Sequence, residues 1–228
     1  MADVERTCGE GAPAKSGAVA PVEDGAGEGG AAQTVVVATG NAHKVTEIEA
    51  ILGRVMPGVR FVTIGSLGDF PDPEETGTTF EENALIKARA AHAETGLPAV
   101  ADDSGLEVDA LGGAPGVYSA RYAGVHGDDA ANNAKLLREL EGVPEGRRTA
   151  RFTSCVAFVA ADGSETCGVG HCEGRVGLAG RGEHGFGYDP LFLPDETPGR
   201  TMAELEPAEK NAISHRFHAL QELAARLG

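Results

Sequence analysis

In the stretch LPAVADDSGLEVDALGG, residues 97–113, an apolar run from Leu97 to Ala101 meets two adjacent carboxylates, Asp102 and Asp103. A second acidic pair, Glu74 and Glu75, stands in PEETG, residues 73–77. Carboxylates gathered from two such segments can hold a hard cation such as Mg2+, which prefers carboxylate and water oxygens. Glu74 and Glu75 taken alone also suit a solvated loop, because acidic side chains mostly face water. The aspartates suit that reading less, since they follow an apolar strand, and open α/β sheets place ligands beyond the C-terminal ends of their strands. Side chains alternate faces along a strand, so one aspartate of the pair points squarely into such a cleft. The other is free to bond backbone or to support a metal-bound water.

Three further stretches could serve an anion or a flat ligand. VVVATGNAHK, residues 35–44, carries a strand into a turn and a helix start, where backbone N–H groups and the helix dipole favour a phosphate; Lys44 adds a cation. It matches neither the P-loop nor the dinucleotide fingerprint, and a plain turn remains open. In GEHGFGYDP, residues 182–190, glycines flank Phe186, which lets backbone approach a ligand and an aromatic ring stack on a base. Phe186 and Tyr188 could equally be core anchors. In KNAISHR, residues 210–216, Lys210 and Ser214 share a helical face while His215 lies well round from Lys210. A helix break near Ser214 is therefore expected, with Ser214 capping the restart. A basic helix end on the surface is the alternative, although cations are scarce in so acidic a chain.

These groups need elements to position them. TVVVAT (34–39) reads as a strand, followed by a helix with Val45, Ile48, Ile51, Leu52 and Val55 at helical spacing. VRFVTI (59–64) reads as a second strand and SLGDFPDPEETG (66–77) as a long loop. Thr79 with Glu82 makes a capping box for a helix ending near Thr95, where Gly96 and Pro98 stop it. The stretch at 97–113 then supplies a strand, a turn at Ser104 and Gly105, and a second extended piece, LEVDAL. Asp128 to Leu140 forms an amphipathic helix, residues 150–174 a hairpin turning at Asp162 and Gly163, and 207–227 a helical region. Crossovers together with a hairpin mean an α/β fold with a mixed sheet.

The chain has 228 residues, 19 Lys and Arg against 35 Asp and Glu, and a formal net charge of -16. Acid excess argues against a nucleic-acid polymer as partner, because counterion release needs clustered cations. No apolar run approaches the roughly 20 residues of a membrane helix, and no secretory signal pattern opens the chain, so the expected address is the cytoplasm. Residues 1–32 are rich in Gly, Ala and Pro with no periodic apolar face; they are expected to form a disordered extension before a domain at 33–228. Of the four cysteines, Cys167 and Cys172 flank His171 at a spacing that fits zinc poorly, so ordinary thiols are expected.

ATGNAHK, EETGTTFEENALIKA, ADDSGLEVDALGGAPGVYSARYAG, GFGYDP and AISHR, in that order, closely resemble the inosine/xanthosine triphosphate pyrophosphatase family, from Val35 to about Leu227. That resemblance implies an elongated, two-lobed, mixed α/β fold with a central nucleotide cleft, usually as a homodimer. The activity it implies is Mg2+-dependent hydrolysis of non-standard purine nucleoside triphosphates (ITP, dITP and XTP) to the monophosphate and pyrophosphate. Carried over by motif, Thr39, Gly40, Asn41, Ala42, His43 and Lys44 would line the triphosphate. Glu75, or its neighbour Glu74, would hold Mg2+ together with Asp103, which would also accept the proton. Ser104 would touch substrate, Phe186, Gly187, Tyr188 and Asp189 would form the base-side loop, and Lys210, His215 and Arg216 would close the pocket round the purine. Asp102 is left as a supporting group.

Overall fold

The computed structural model describes residues 33–39 and 42–228, with the side chains of residues 42–44 and 47 outside the description. Strands β1 (Thr34–Val37), β2 (Arg60–Thr63), β3 (Ala99–Val108), β4 (Thr149–Val159), β5 (Glu165–Val176) and β6 (Phe192–Pro194) form one sheet in the order β2-β1-β3-β4-β5-β6. The β1 strand is parallel to β2 and β3, and the β3-β4-β5-β6 pairings are antiparallel, so the sheet is mixed, as the sequence predicts. The turn between β4 and β5 includes Asp162 and Gly163, with Gly163 at φ 81° and Ser164 donating to the Asp162 carboxylate.

Alternation sorts the strands' side chains into two faces. On one face α1 (Ala42–Leu52) and α5 (His215–Leu227) press Ile48, Leu52, Leu220 and Leu223 onto Val35, Val37, Val100, Val156 and Phe158. On the other, α2 (Phe80–Thr95) lays Phe80, Ala84 and Ala88 against Ala101, Cys155, Ala157 and Val159. Small residues on α2 allow close approach of helix and sheet. Further along the long strands a second core gathers Leu106, Val108, Phe152, Cys172 and Val176 with Leu136 of α3 (Asp129–Glu139), Leu140 at its C-cap, Tyr188 and Phe192. The two cores mark two lobes that share β3, β4 and β5.

The capping box forms as read: Thr79 Oγ1 accepts the Glu82 N–H and the Glu82 carboxylate accepts the Thr79 N–H, at 3.1 and 3.2 Å. Gly96 ends α2 in the left-handed conformation, φ 68°. The C-terminal helix breaks where expected, α4 (Pro207–Ile213) giving way to α5 at Ser214, whose hydroxyl accepts the Phe217 N–H at 3.1 Å. From α5, His218, Glu222 and Arg226 bond the β5 backbone at His171 O, Val169 N and Cys167 O.

One expectation fails. No turn interrupts 97–113 at Ser104 and Gly105, because β3 runs unbroken from Ala99 to Val108, each residue paired with β4. Gly105 is there for clearance: a Cβ would stand 2.4 Å from Ser119 Oγ and 2.5 Å from Gly116 O. Among the described residues, no helix is long and apolar enough to cross a membrane.

Candidate active site

The two aspartates therefore sit inside a strand, and it is the neighbouring strand that ends. The β1 pairing reaches only Val100 of β3, apart from a last bond from Ala38 N–H to Val100 O. Beyond that point β4 continues along one side of β3, while among the described residues the other edge is left by β1 at Asp102 and Asp103 and is bonded again from Leu106, by Ser119 Oγ, Ala114 O and the bridge to Pro115. The pair splits across the sheet: Asp103 meets α2, and Asp102 meets α5.

On the α2 side, Lys87 Nζ lies 2.9 Å from Asp103 Oδ1 and 3.0 Å from Glu75 Oε1. Arg121 Nη1 reaches Glu75 Oε2 at 3.4 Å, and Asn83 Nδ2 donates to Asp103 Oδ2 at 3.3 Å. Asn83 Oδ1 in turn accepts the Gly77 N–H at 2.8 Å, which fastens the acidic loop to the start of α2. Burial is the strongest influence on Asp103; despite Lys87, and with Glu75 adding its own negative charge, it holds the carboxyl above the usual aspartate range. Burial also pushes Glu75 upward, but Lys87 and Arg121 together outweigh it and keep that carboxyl low. For Lys87 burial opposes the charge, yet the two carboxylates prevail and raise its pKa. Glu74 is exposed, and the bonds to Lys87 and Arg121 belong to its neighbour Glu75. Glu74, Glu75, Lys87 and Arg121, with Thr39 and Asp102, line a cavity of about 580 Å³, to which Asp103 is joined through Lys87.

Two carboxylates converging on one ammonium group show that this spot accepts a cation. Among the described residues no cluster of three or more His, Cys, Asp or Glu forms a ready-made metal site. Such a donor set fits Mg2+, which commonly takes one or two carboxylates and completes its shell with water and substrate phosphate. Gly40 and Asn41 lie outside the described residues. Ala42, His43 and Lys44 open α1, and their side chains lie outside the description too.

On the opposite face, Ser104, Phe186, Lys210, His215 and Arg216 line a second pocket, of about 170 Å³. Lys210 Nζ is 2.5 Å from Asp189 Oδ2 and stands over the Phe186 ring at 4.6 Å. Asp189 is buried and also accepts the Phe186 N–H at 2.8 Å. Gly185 leaves room for that carboxylate, since a Cβ there would lie 2.0 Å from Asp189 Oδ2. The aromatic pair left open by sequence divides its work. Tyr188 is 4% exposed in the core, donates to Ser119 O at 3.0 Å and has its phenol pKa raised by burial, whereas Phe186 is 63% exposed at the rim. His215 stacks on Phe152 at 5.0 Å. The two cavities meet at a buried ion pair, Arg216 Nε to Asp102 Oδ2 at 2.9 Å, with Asp102 lining the larger and Arg216 the smaller.

Sequence reading missed Asn83, Lys87 and Arg121. A signal for the first two was present: they fall at helical spacing among Phe80, Ala84, Ala88 and Ala91, so a polar pair occupies the buried stripe of α2. Cys167 and Cys172 lie on opposite sheet faces, Cys172 in a core where burial pushes its thiol pKa up to about 12. They cannot share a zinc ion.

Comparison with known proteins follows the same lines. The chain is 48% identical over 242 residues to the dITP/XTP pyrophosphatase of Bifidobacterium longum (strain DJO10A), across 83% of this chain and 96% of that protein. It is 53% identical over 194 residues to the dITP/XTP pyrophosphatase of Nocardia farcinica, across 85% and 94%. The solved structure of the Staphylococcus aureus Ham1 protein superimposes with a TM-score of 0.77 at 39% identity, covering 86% of this chain and 98% of that one. With the Ham1 family model matching residues 35–226 as well, the chain belongs to the Ham1 family.

Proposed function

We propose that this protein hydrolyses the non-standard purine nucleoside triphosphates dITP, ITP and XTP to the monophosphate and pyrophosphate, clearing them from the nucleotide pool. What carries the reading is the meeting of a cation-holding acidic cleft and a base-sized pocket at one shared wall, Asp102–Arg216. The relatives named dITP/XTP pyrophosphatase supply the substrate class.

Glu75 and Asp103 would hold Mg2+, with Glu75 favoured over Glu74 because its carboxylate faces Lys87 and Arg121. When bound, Mg2+ neutralises phosphate oxygens and favours attack at the α-phosphorus. Asp103, largely buried beside Lys87 and Glu75, orients and deprotonates the attacking water. Lys87 and Arg121, which line the larger cavity together with Thr39, offset phosphate charge in an otherwise acidic chain, and residues 39–44 line the triphosphate. In the smaller pocket Phe186 stacks on the base, Ser104 touches substrate, and the loop through Gly187, Tyr188 and Asp189 frames the base. Lys210, His215 and Arg216 close round the purine. A 6-oxo group accepts a hydrogen bond from such donors, whereas the 6-amino group of adenine leaves them unpaired, and that difference discriminates strongly. The catalytic unit is 33–228, with 1–32 an extension outside it, and the enzyme works as a homodimer in the cytoplasm.

The deciding experiment measures pyrophosphate release from ITP with Mg2+, with EDTA, and in Asp103→Asn. Activity is expected to vanish in the last two while the variant stays folded. Full activity in either overturns the metal or the base assignment, and equal turnover of ATP and ITP overturns the substrate class.

A further inference from the structure

Phe186 stands at the rim of the smaller pocket on a loop rich in glycine, a placement that would leave a stacking ring loose. The loop is not left to itself. Asp129 and Asn133, four residues apart and therefore on one face of α3, grip the next residue, Gly187, by its N–H and its C=O, one in each of two successive peptide units. The Gly187 N–H donates to Asp129 Oδ2 at 2.7 Å, and Asn133 Nδ2 donates to Gly187 O at 2.8 Å. Gly187 itself takes φ 61°, a conformation in which another residue would be strained.

The helix that supplies this grip is itself fixed. Leu136 of α3 is buried in the core, Asn132 Oδ1 accepts the Ala123 N–H at 2.7 Å, and Lys135 Nζ donates to Tyr122 O at 2.7 Å. Asp129 makes a charge-assisted bond, stronger than a neutral one.

We propose that Asp129 and Asn133 are positioning residues for base recognition. By clamping the Gly187 peptide they hold the backbone of Phe186 ready before substrate arrives, so the ordering cost of the loop is met on folding and not on binding. Neither side chain needs to touch the phosphates, so their effect falls on substrate affinity and leaves the chemical step. This inference rests on the reading of Phe186 as the ring that stacks on the base.

The test measures KM and kcat for ITP hydrolysis, with a melting curve for each variant. Asp129→Ala and Asn133→Ala should each raise KM about ten-fold, with kcat held within about two-fold. Asp129→Asn keeps an oxygen that can accept the Gly187 N–H and should recover most of the loss. In a Phe186→Ala background the further cost of Asp129→Ala should shrink to near nothing, because there is no ring left to position. If Asp129→Ala fails to fold, Asn133→Ala decides alone. An unchanged KM, a loss confined to kcat and melting temperature, or the same cost with and without Phe186 overturns the clamp. If Phe186→Ala alone leaves KM untouched, it is the stacking reading that fails.

Discussion

A single ammonium group serving two carboxylates gives the acidic cleft its character. Lys87 holds Asp103 and Glu75 together at 2.9 and 3.0 Å, and only Glu75 has Arg121 as a further cation in that network. Replacing Lys87 by Met leaves two half-buried carboxylates facing each other. Loss of one partner from a largely buried pair should cost about 2 kcal/mol after allowance for its partial exposure. Added Mg2+ supplies the missing cation, so Mg2+ should raise the melting temperature more in Lys87→Met than in the parent, read by thermal unfolding with and without the metal. An equal rise in both would mean the metal does not settle between these carboxylates. At this scale the sequence was legible where residues announce themselves in short motifs, as at the Thr79–Glu82 capping box and the Ser214 cap. It was silent on Asp129 and Asn133, because the partner peptide lies 58 and 54 residues away and no spacing rule links them.

Elements carry the site through their ends and interruptions. Ser214 separates α4 from α5 and presents His215 and Arg216 in the first turn of the new helix. Ser214→Ala removes the cap of the Phe217 N–H and should cost about 1 kcal/mol in denaturant unfolding. It should also lower kcat/KM for ITP by more than a matched surface Ser→Ala change, since fraying there displaces Arg216; no excess loss would show the first turn to be held by other contacts. The break at Ser214 could be read in advance because Lys210 and His215 cannot share one face of a continuous helix. The false turn at Ser104 and Gly105 has an instructive cause. Glycine in a strand pattern signals either a bend or a close neighbour, and here the neighbour is Ser119 and Gly116, brought in from the loop after β3. Only the tertiary approach of that loop distinguishes the two.

Across the whole molecule, the long strands β3, β4 and β5 are common to both lobes, so a group on one face can serve a cavity opening on the other side of the sheet. The Asp102–Arg216 pair does this, tying β3 to α5 where the two cavities meet. Asp102→Ala should cost about 3 kcal/mol in equilibrium unfolding, since it strips a carboxylate from a buried guanidinium. It should also raise KM for ITP; an unchanged KM would mean that Arg216 keeps its place without Asp102. Mixed topology and the two-lobed arrangement were legible from the crossovers, the hairpin and the family motifs, while the wall between the cavities depended on which face each aspartate takes. A last feature bears on company and not on catalysis. Along α5, His218, Glu222 and Arg226 recur every four residues, a rise of about 6 Å. They meet β5 groups two residues apart, about 6.7 Å of strand. The helix thus takes up part of the hydrogen bonding that a further strand would otherwise offer β5, so this stretch of sheet margin is partly occupied by its own chain and is a poorer template for edge-to-edge growth.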